Sequence, residues 1–139
     1  MNTKHLVAVD SNVILRFLLG DHSNHSARSR KFFEKAVAGE YQIILSEVVI
    51  AECVWVLFSY YKLKMVEIDR MLSALVAADY VDCRNKDVVL RALDDTHQLN
   101  VDFIDAFLAE FALEEKTRTV ATFNKRHFSR FEEIELFDL

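Results

Sequence analysis

Not one proline and only two glycines, Gly20 and Gly39, interrupt 139 residues. A loop-rich all-β fold needs many residues of both kinds for its turns, so their scarcity selects for long helices. Hydrophobic residues make up 52% of the chain and eleven residues are Phe. At this length one domain buries roughly 70% of the surface its unfolded chain exposes. A single domain over residues 1–139, with a packed core and no disordered stretch, is the expectation.

Between the helices lie short apolar runs. Residues 5–9 read as a buried strand, and Asp10, Ser11 and Asn12, all residues that cap helices, open a helix that ends at Leu19 before Gly20. A second helix starts at Ser23 or Asn24 and runs through Ala38, closed by Gly39. "YQIIL" (41–45) is a second strand, and Ser46 caps a third helix that reaches about Tyr61. Further helices are expected over 65–78, 85–98 and 103–116, with strands at Tyr80–Cys83, at "TVATF" (119–123) and, at the edge, at "EIELFDL" (133–139). Alternation of this kind predicts an α/β fold: a three-layer α/β/α sandwich around a central, mainly parallel sheet of four to five strands. In such sheets ligands gather beyond the carboxyl ends of the strands.

The net charge of −5 speaks against a protein that holds nucleic acid by bulk charge. Basic residues nonetheless cluster at Arg28, Arg30 and Lys31, at Lys62 and Lys64, and at Lys125, Arg126 and Arg130. A solvated helix face or turn is the ordinary use of each cluster. Cys53 and Cys83 form no CxxC pair and read as buried thiols in a reducing cytosol. The N-terminus lacks a signal-peptide run and no apolar stretch is long enough to span a bilayer, so a soluble cytoplasmic protein is expected.

Four acids stand out. Asp10, wedged between two hydrophobic runs, ends the first strand, where its ordinary role is a helix cap worth about 1 kcal/mol. Glu52 is the only charge in "VVIAECVWVLF" (48–58), a helix apolar on every side, which predicts a buried carboxylate needing a pair, a hydrogen bond or a metal. In "NVDFIDAFLAEFAL" Asp102 reads as a cap. Asp105 falls at the third helical position, on the side of Ala109 and Ala112, facing the interior. Asn124 follows the strand "TVATF", where a turn or cap explains it equally well. Taken together, Asp10, Glu52 and Asp105 repel one another if they converge, unless a cation sits among them. Oxygen donors with no Cys or His favour Mg²⁺ or Mn²⁺ over zinc.

"VDSNVIL" (9–15), "SEVVIAECVWVL" (46–57), "DFIDAFLAEFA" (102–112) and "VATFNKRHF" (120–128) together resemble the PIN domain family, in particular the VapC-type toxins of bacterial toxin–antitoxin pairs. The resemblance matches Asp10, Glu52 and Asp105 to the family's acids. Asn124 stands where the family often has an aspartate, so its amide oxygen can bind a metal or a water without supplying charge, and Asp102 is the candidate to supply the missing charge. Asn12, Ser46 and Thr122 would orient the carboxylates. The resemblance implies a Mg²⁺- or Mn²⁺-dependent endoribonuclease in which Asp10 and Asp105 hold the ion and Glu52 is a ligand or base. It also implies transfer or ribosomal RNA as substrate, a cognate antitoxin that blocks the site, and a homodimer. Phe58, Tyr60 and Tyr61 are candidates for a partner groove, with core packing their more ordinary use. Two other readings compete. One is a non-cutting RNA- or protein-binding module, suggested by Asn124. The other is aspartyl-phosphate chemistry on Asp10, disfavoured because Asn12 replaces that chemistry's second acid.

Overall fold

The computed structural model describes residues 5–139; the first four residues of the expected 1–139 domain lie outside the described residues. The order along the chain is β1 (Leu6–Ala8), α1 (Ser11–Leu19), α2 (Ser23–Val37), β2 (Gln42–Leu45), α3 (Glu47–Trp55), α4 (Met65–Val76), β3 (Val81–Cys83), α5 (Lys86–Gln98), α6 (Phe103–Glu114), β4 (Thr119–Val120), α7 (Lys125–Phe128) and β5 (Glu135–Leu136). α3 does not stop at Trp55: it loosens into a π-helical turn over Val56–Tyr60, so the helix expected to reach about Tyr61 is present but changes pitch.

The fold is the expected α/β sandwich, and every strand pairing in it is parallel. The five strands divide into two sheets. β2 lies between β1 and β3, with Val7 opposite Ile43 and Ile43 opposite Val81, while β4 and β5 pair separately. β4 and β5 are each two residues long, well short of the runs 119–123 and 133–139 that the sequence suggested. Residues 121–124 leave the strand as irregular backbone and carry Thr122 and Asn124 toward α6.

Period-two alternation decides what the sheet buries. Val9, Ile43, Leu45 and Val81 enter the core, where Ile43 is fully buried. On the other face Leu6 is 54% and Ile44 39% exposed, so this side is less completely covered than the apolar runs implied. Helices pack on one another as closely as on the sheet: α1 on α2 and α3, α4 on α5, α5 on α6, and α6 on α3. Ala106, Ala109 and Ala112 make the close approach of α6 possible, all three being buried. Both thiols are free; Cys53 is buried as expected, and Cys83 only half-buried. No helix among the described residues is long and apolar enough to cross a membrane.

Candidate active site

Asp10 follows β1 and sits at the N-cap of α1, its Oδ1 accepting the Ser11 backbone N–H at 2.7 Å. That bond answers the helix's unpaired N-terminal amides, and the positive end of the helix favours the carboxylate. The side chain is exposed, so its position between two hydrophobic runs imposes no burial cost. The buried Ser11 hydroxyl then reaches across to α3 and donates a short hydrogen bond to Glu52 Oε1, with Asp10 Oδ1 3.4 Å away. One serine thus ties the acids of two elements. The buried Cys53 thiol is pushed up to about 12 by desolvation and then by the charges of Glu52 and Asp10, a third sign that the two carboxylates share a neighbourhood.

Glu52 itself is exposed, which corrects the expectation of a buried carboxylate. α3 does have a solvent-facing stripe; its other members are Val48, 77% exposed, and Trp55, 66% exposed. Because those neighbours are apolar, hydropathy could not distinguish the stripe from the core. Phe58 and Tyr60 are likewise exposed rather than packed in the core, whereas Tyr61 is held by donating its hydroxyl to Asp21 at 2.9 Å.

Asp105 occupies the third position of α6, half-buried as its alanine neighbours predicted. Its Oδ2 accepts two bonds, from Asn124 Nδ2 at 2.7 Å and from His127 Nδ1 at 2.8 Å. Thr122 Oγ1 in turn accepts the Asn124 backbone N–H at 2.9 Å, fixing the turn that presents the amide. The amide of Asn124 therefore acts through its nitrogen, as a donor that holds Asp105. Asp102 precedes α6 but makes no capping bond; its carboxylate lies 3.9 Å from His127 Nδ1. The turn before it is clamped by Arg130, which donates to the carbonyls of Leu99 and Asn100, so one of the basic clusters has a local structural use.

Ser46 caps α3 by accepting the Val48 N–H at 3.1 Å and bonds to neither acid. Asn12 lies beside Asp10 in a cleft and likewise makes no hydrogen bond to Asp10 or Glu52. Ser11 and His127 were missed by sequence reasoning. A signal existed for His127: it stands three residues after Asn124, so α7 presents both to one oxygen. It also amends the donor set, since a histidine now borders what had read as an oxygen-only site.

One oxygen of each acid is committed: Asp10 Oδ1, Glu52 Oε1 and Asp105 Oδ2. Asp10 Oδ2, Glu52 Oε2 and Asp105 Oδ1 have no hydrogen bond among the described residues, and none is a buried orphan. Carboxylates oriented through one oxygen and open through the other fit a hard divalent cation, which takes oxygen ligands. Asp102, Asp105 and His127 bring one ligand atom each within 4.8 Å of one another; Asp10, Glu52 and Asp105 do not all meet to that distance.

The family model for the PIN domain matches residues 7–134, from β1 to the residue before β5, and so spans every acid described above. No curated protein matches the chain. PIN domains are a nuclease fold whose members generally use divalent metals. With helix-capped Asp10, serine-tethered Glu52 and Asp105 all inside the matched region, the chain belongs to the PIN domain family.

Proposed function

We propose that this protein is a Mg²⁺- or Mn²⁺-dependent endoribonuclease, the toxin of a toxin–antitoxin pair, acting on transfer or ribosomal RNA and blocked by a cognate antitoxin. In this reading it works as a homodimer in the cytoplasm. The observation that carries the catalytic part is the pattern of untied oxygens: three acids, each held through one oxygen with the other left open. Asp10 and Asp105 would hold the ion, which supplies an acidified water and offsets charge on the phosphodiester, and of the two roles open to Glu52, ligand or base, its single untied oxygen serves as the base.

The chain's own residues do the rest. Ser11 keeps Glu52 and Asp10 in register, and Asn124 and His127 hold Asp105 against rotation. Exposed Glu52 takes one proton from the attacking water at its untied Oε2. The water oxygen bonds to phosphorus, the bond to one ribose oxygen breaks, and that oxygen leaves with a proton from solvent. The cation lies between two sets of anions, so an acidic protein can act on RNA without a strongly basic surface.

The test is incubation of total RNA with the protein and Mg²⁺, with and without EDTA, beside Asp10→Asn. Chelation should abolish cleavage, and Asp10→Asn should lower the rate about a thousand-fold, equal to about 4 kcal/mol of lost transition-state stabilisation. Cleavage that survives both treatments overturns the reading and returns the protein to the non-cutting class.

A further inference from the structure

An open cleft of about 650 Å³ lies between the end of β1, α1 and α2. Asp10 and Asn12 line one side of it, and Arg16, His25, Arg28 and Phe32 line the rest. It is a preformed feature. Phe17 of α1 packs tilted against Phe33 of α2 with ring centroids 4.3 Å apart, and buried Ser26 donates to the Arg16 carbonyl at 2.9 Å, locking the two helices together.

Charge is unevenly committed within it. Arg16 is spent on Asp21 at 2.9 Å, whose other oxygen accepts from Tyr61. Arg28, exposed, has no ion-pair partner among the described residues. A cation without a local anion, in the same cleft as a carboxylate of the candidate active site, is the arrangement that a polyanionic strand running past that carboxylate requires. His25 adds a flat ring, already stacked on His22 at 4.2 Å, of the kind against which a base can stack. An acidic peptide would satisfy Arg28 as well, but it has no use for a cleft that ends on Asp10.

We infer that the α1–α2 cleft seats the RNA strand beside the scissile phosphate, with Arg28 binding a neighbouring phosphate and His25 stacking on a base. The inference rests on the nuclease reading for what is cut and adds where the strand lies and which residues hold it. Arg28 and Arg30 provide a built-in control. Both are exposed cations on α2, but Arg30 does not line the cleft.

The experiment measures binding of a fluorescein-labelled twelve-nucleotide single-stranded RNA by anisotropy in EDTA, where cleavage is stopped, across a salt series. Arg28→Ala should weaken binding about ten-fold and reduce the slope of log affinity against log salt by about 0.7, the value for one phosphate contact on a single strand. His25→Ala should weaken it several-fold without changing that slope. Arg30→Ala should stay within two-fold of wild type. Equal losses for Arg28→Ala and Arg30→Ala, or no loss for either, overturn the inference, as does displacement by an acidic peptide in place of RNA. Cleavage assays on the same variants separate the two readings. Arg28-dependent binding without Mg²⁺-dependent cleavage sinks the nuclease and keeps the cleft; cleavage indifferent to Arg28 does the reverse.

Discussion

Two clusters in this molecule are near-copies of one another. In one, His127 Nδ1 meets Asp105 Oδ2 at 2.8 Å, with Asp102 at 3.9 Å. In the other, between α4 and α5, His97 Nε2 meets Asp69 Oδ2 at 2.7 Å, with Asp94 at 3.6 Å. Both histidine side chains are 20% exposed. Residue types and distances alone do not distinguish a working site from a structural pin. The second oxygen of the aspartate does. Asp69 Oδ1 accepts the Ser73 hydroxyl at 2.5 Å, so both oxygens of Asp69 are consumed within the protein. Asp105 Oδ1 is left open.

The sharpest way to break this comparison is to neutralise each aspartate in turn. Asp105→Asn should abolish RNA cleavage, by about three orders of magnitude, while leaving the thermal midpoint near that of wild type, since an amide can still be held by α7. Asp69→Asn should do the opposite. Cleavage per folded molecule should stay unchanged, and stability should fall by about 1–3 kcal/mol, because an amide offers one acceptor oxygen where Asp69 uses two, for Ser73 and for His97. Equal loss of cleavage in both variants would mean that the open oxygen is not what separates the clusters.

A smaller effect is expected one step outward, at the histidines. His127 acts through Asp105, as a positioning residue. His127→Ala should lower kcat about 10–100-fold and raise the Mg²⁺ concentration needed for half-maximal rate, with recovery in His127→Gln, which can still donate. His97→Ala should leave both quantities alone and appear only in a urea melt. An unchanged Mg²⁺ requirement in His127→Ala would assign that histidine to structure, like its counterpart.

These distinctions mark where the sequence stopped being readable. Caps at Asp10 and Ser46, the close packing at Ala109 and Ala112 and the α/β alternation were legible because each depends on neighbours within one turn or one strand. Exposure of Glu52 was not, since Val48 and Trp55 give its face an apolar composition while leaving it in water. Ser11 looked like a cap residue, and its second role depends on an acid 41 positions away. His127 lies 22 positions from the carboxylate it holds, and Asn124 carried the suggestion of a missing charge when its amide is in fact a donor.

Asp95, next to Asp94 on α5, sharpens the same comparison from the other side. Its Oδ2 also lacks a hydrogen-bond partner, but unlike the open oxygen of Asp105 it is buried from solvent. Burial first, and the Glu110 carboxylate second, push its pKa up to about 8. Here an untied oxygen keeps a proton where an exposed one is available to a cation. The unfolded chain ionises Asp95 near pH 4, so between pH 4 and about 8 the native state binds more protons than the unfolded state. Stability from this group is therefore complete below pH 4 and declines as pH rises, levelling off above about 8. Asp95 is only half-buried, and solvent screening reduces the effect well below the full linkage value, to on the order of 2 kcal/mol. Asp95→Asn should flatten that slope in urea melts taken from pH 5 to 9 and exceed wild type in stability at the alkaline end. A parallel pH dependence in the two proteins would mean that Asp95 is ionised in the native state, and that an untied carboxyl oxygen between α5 and α6 finds water after all.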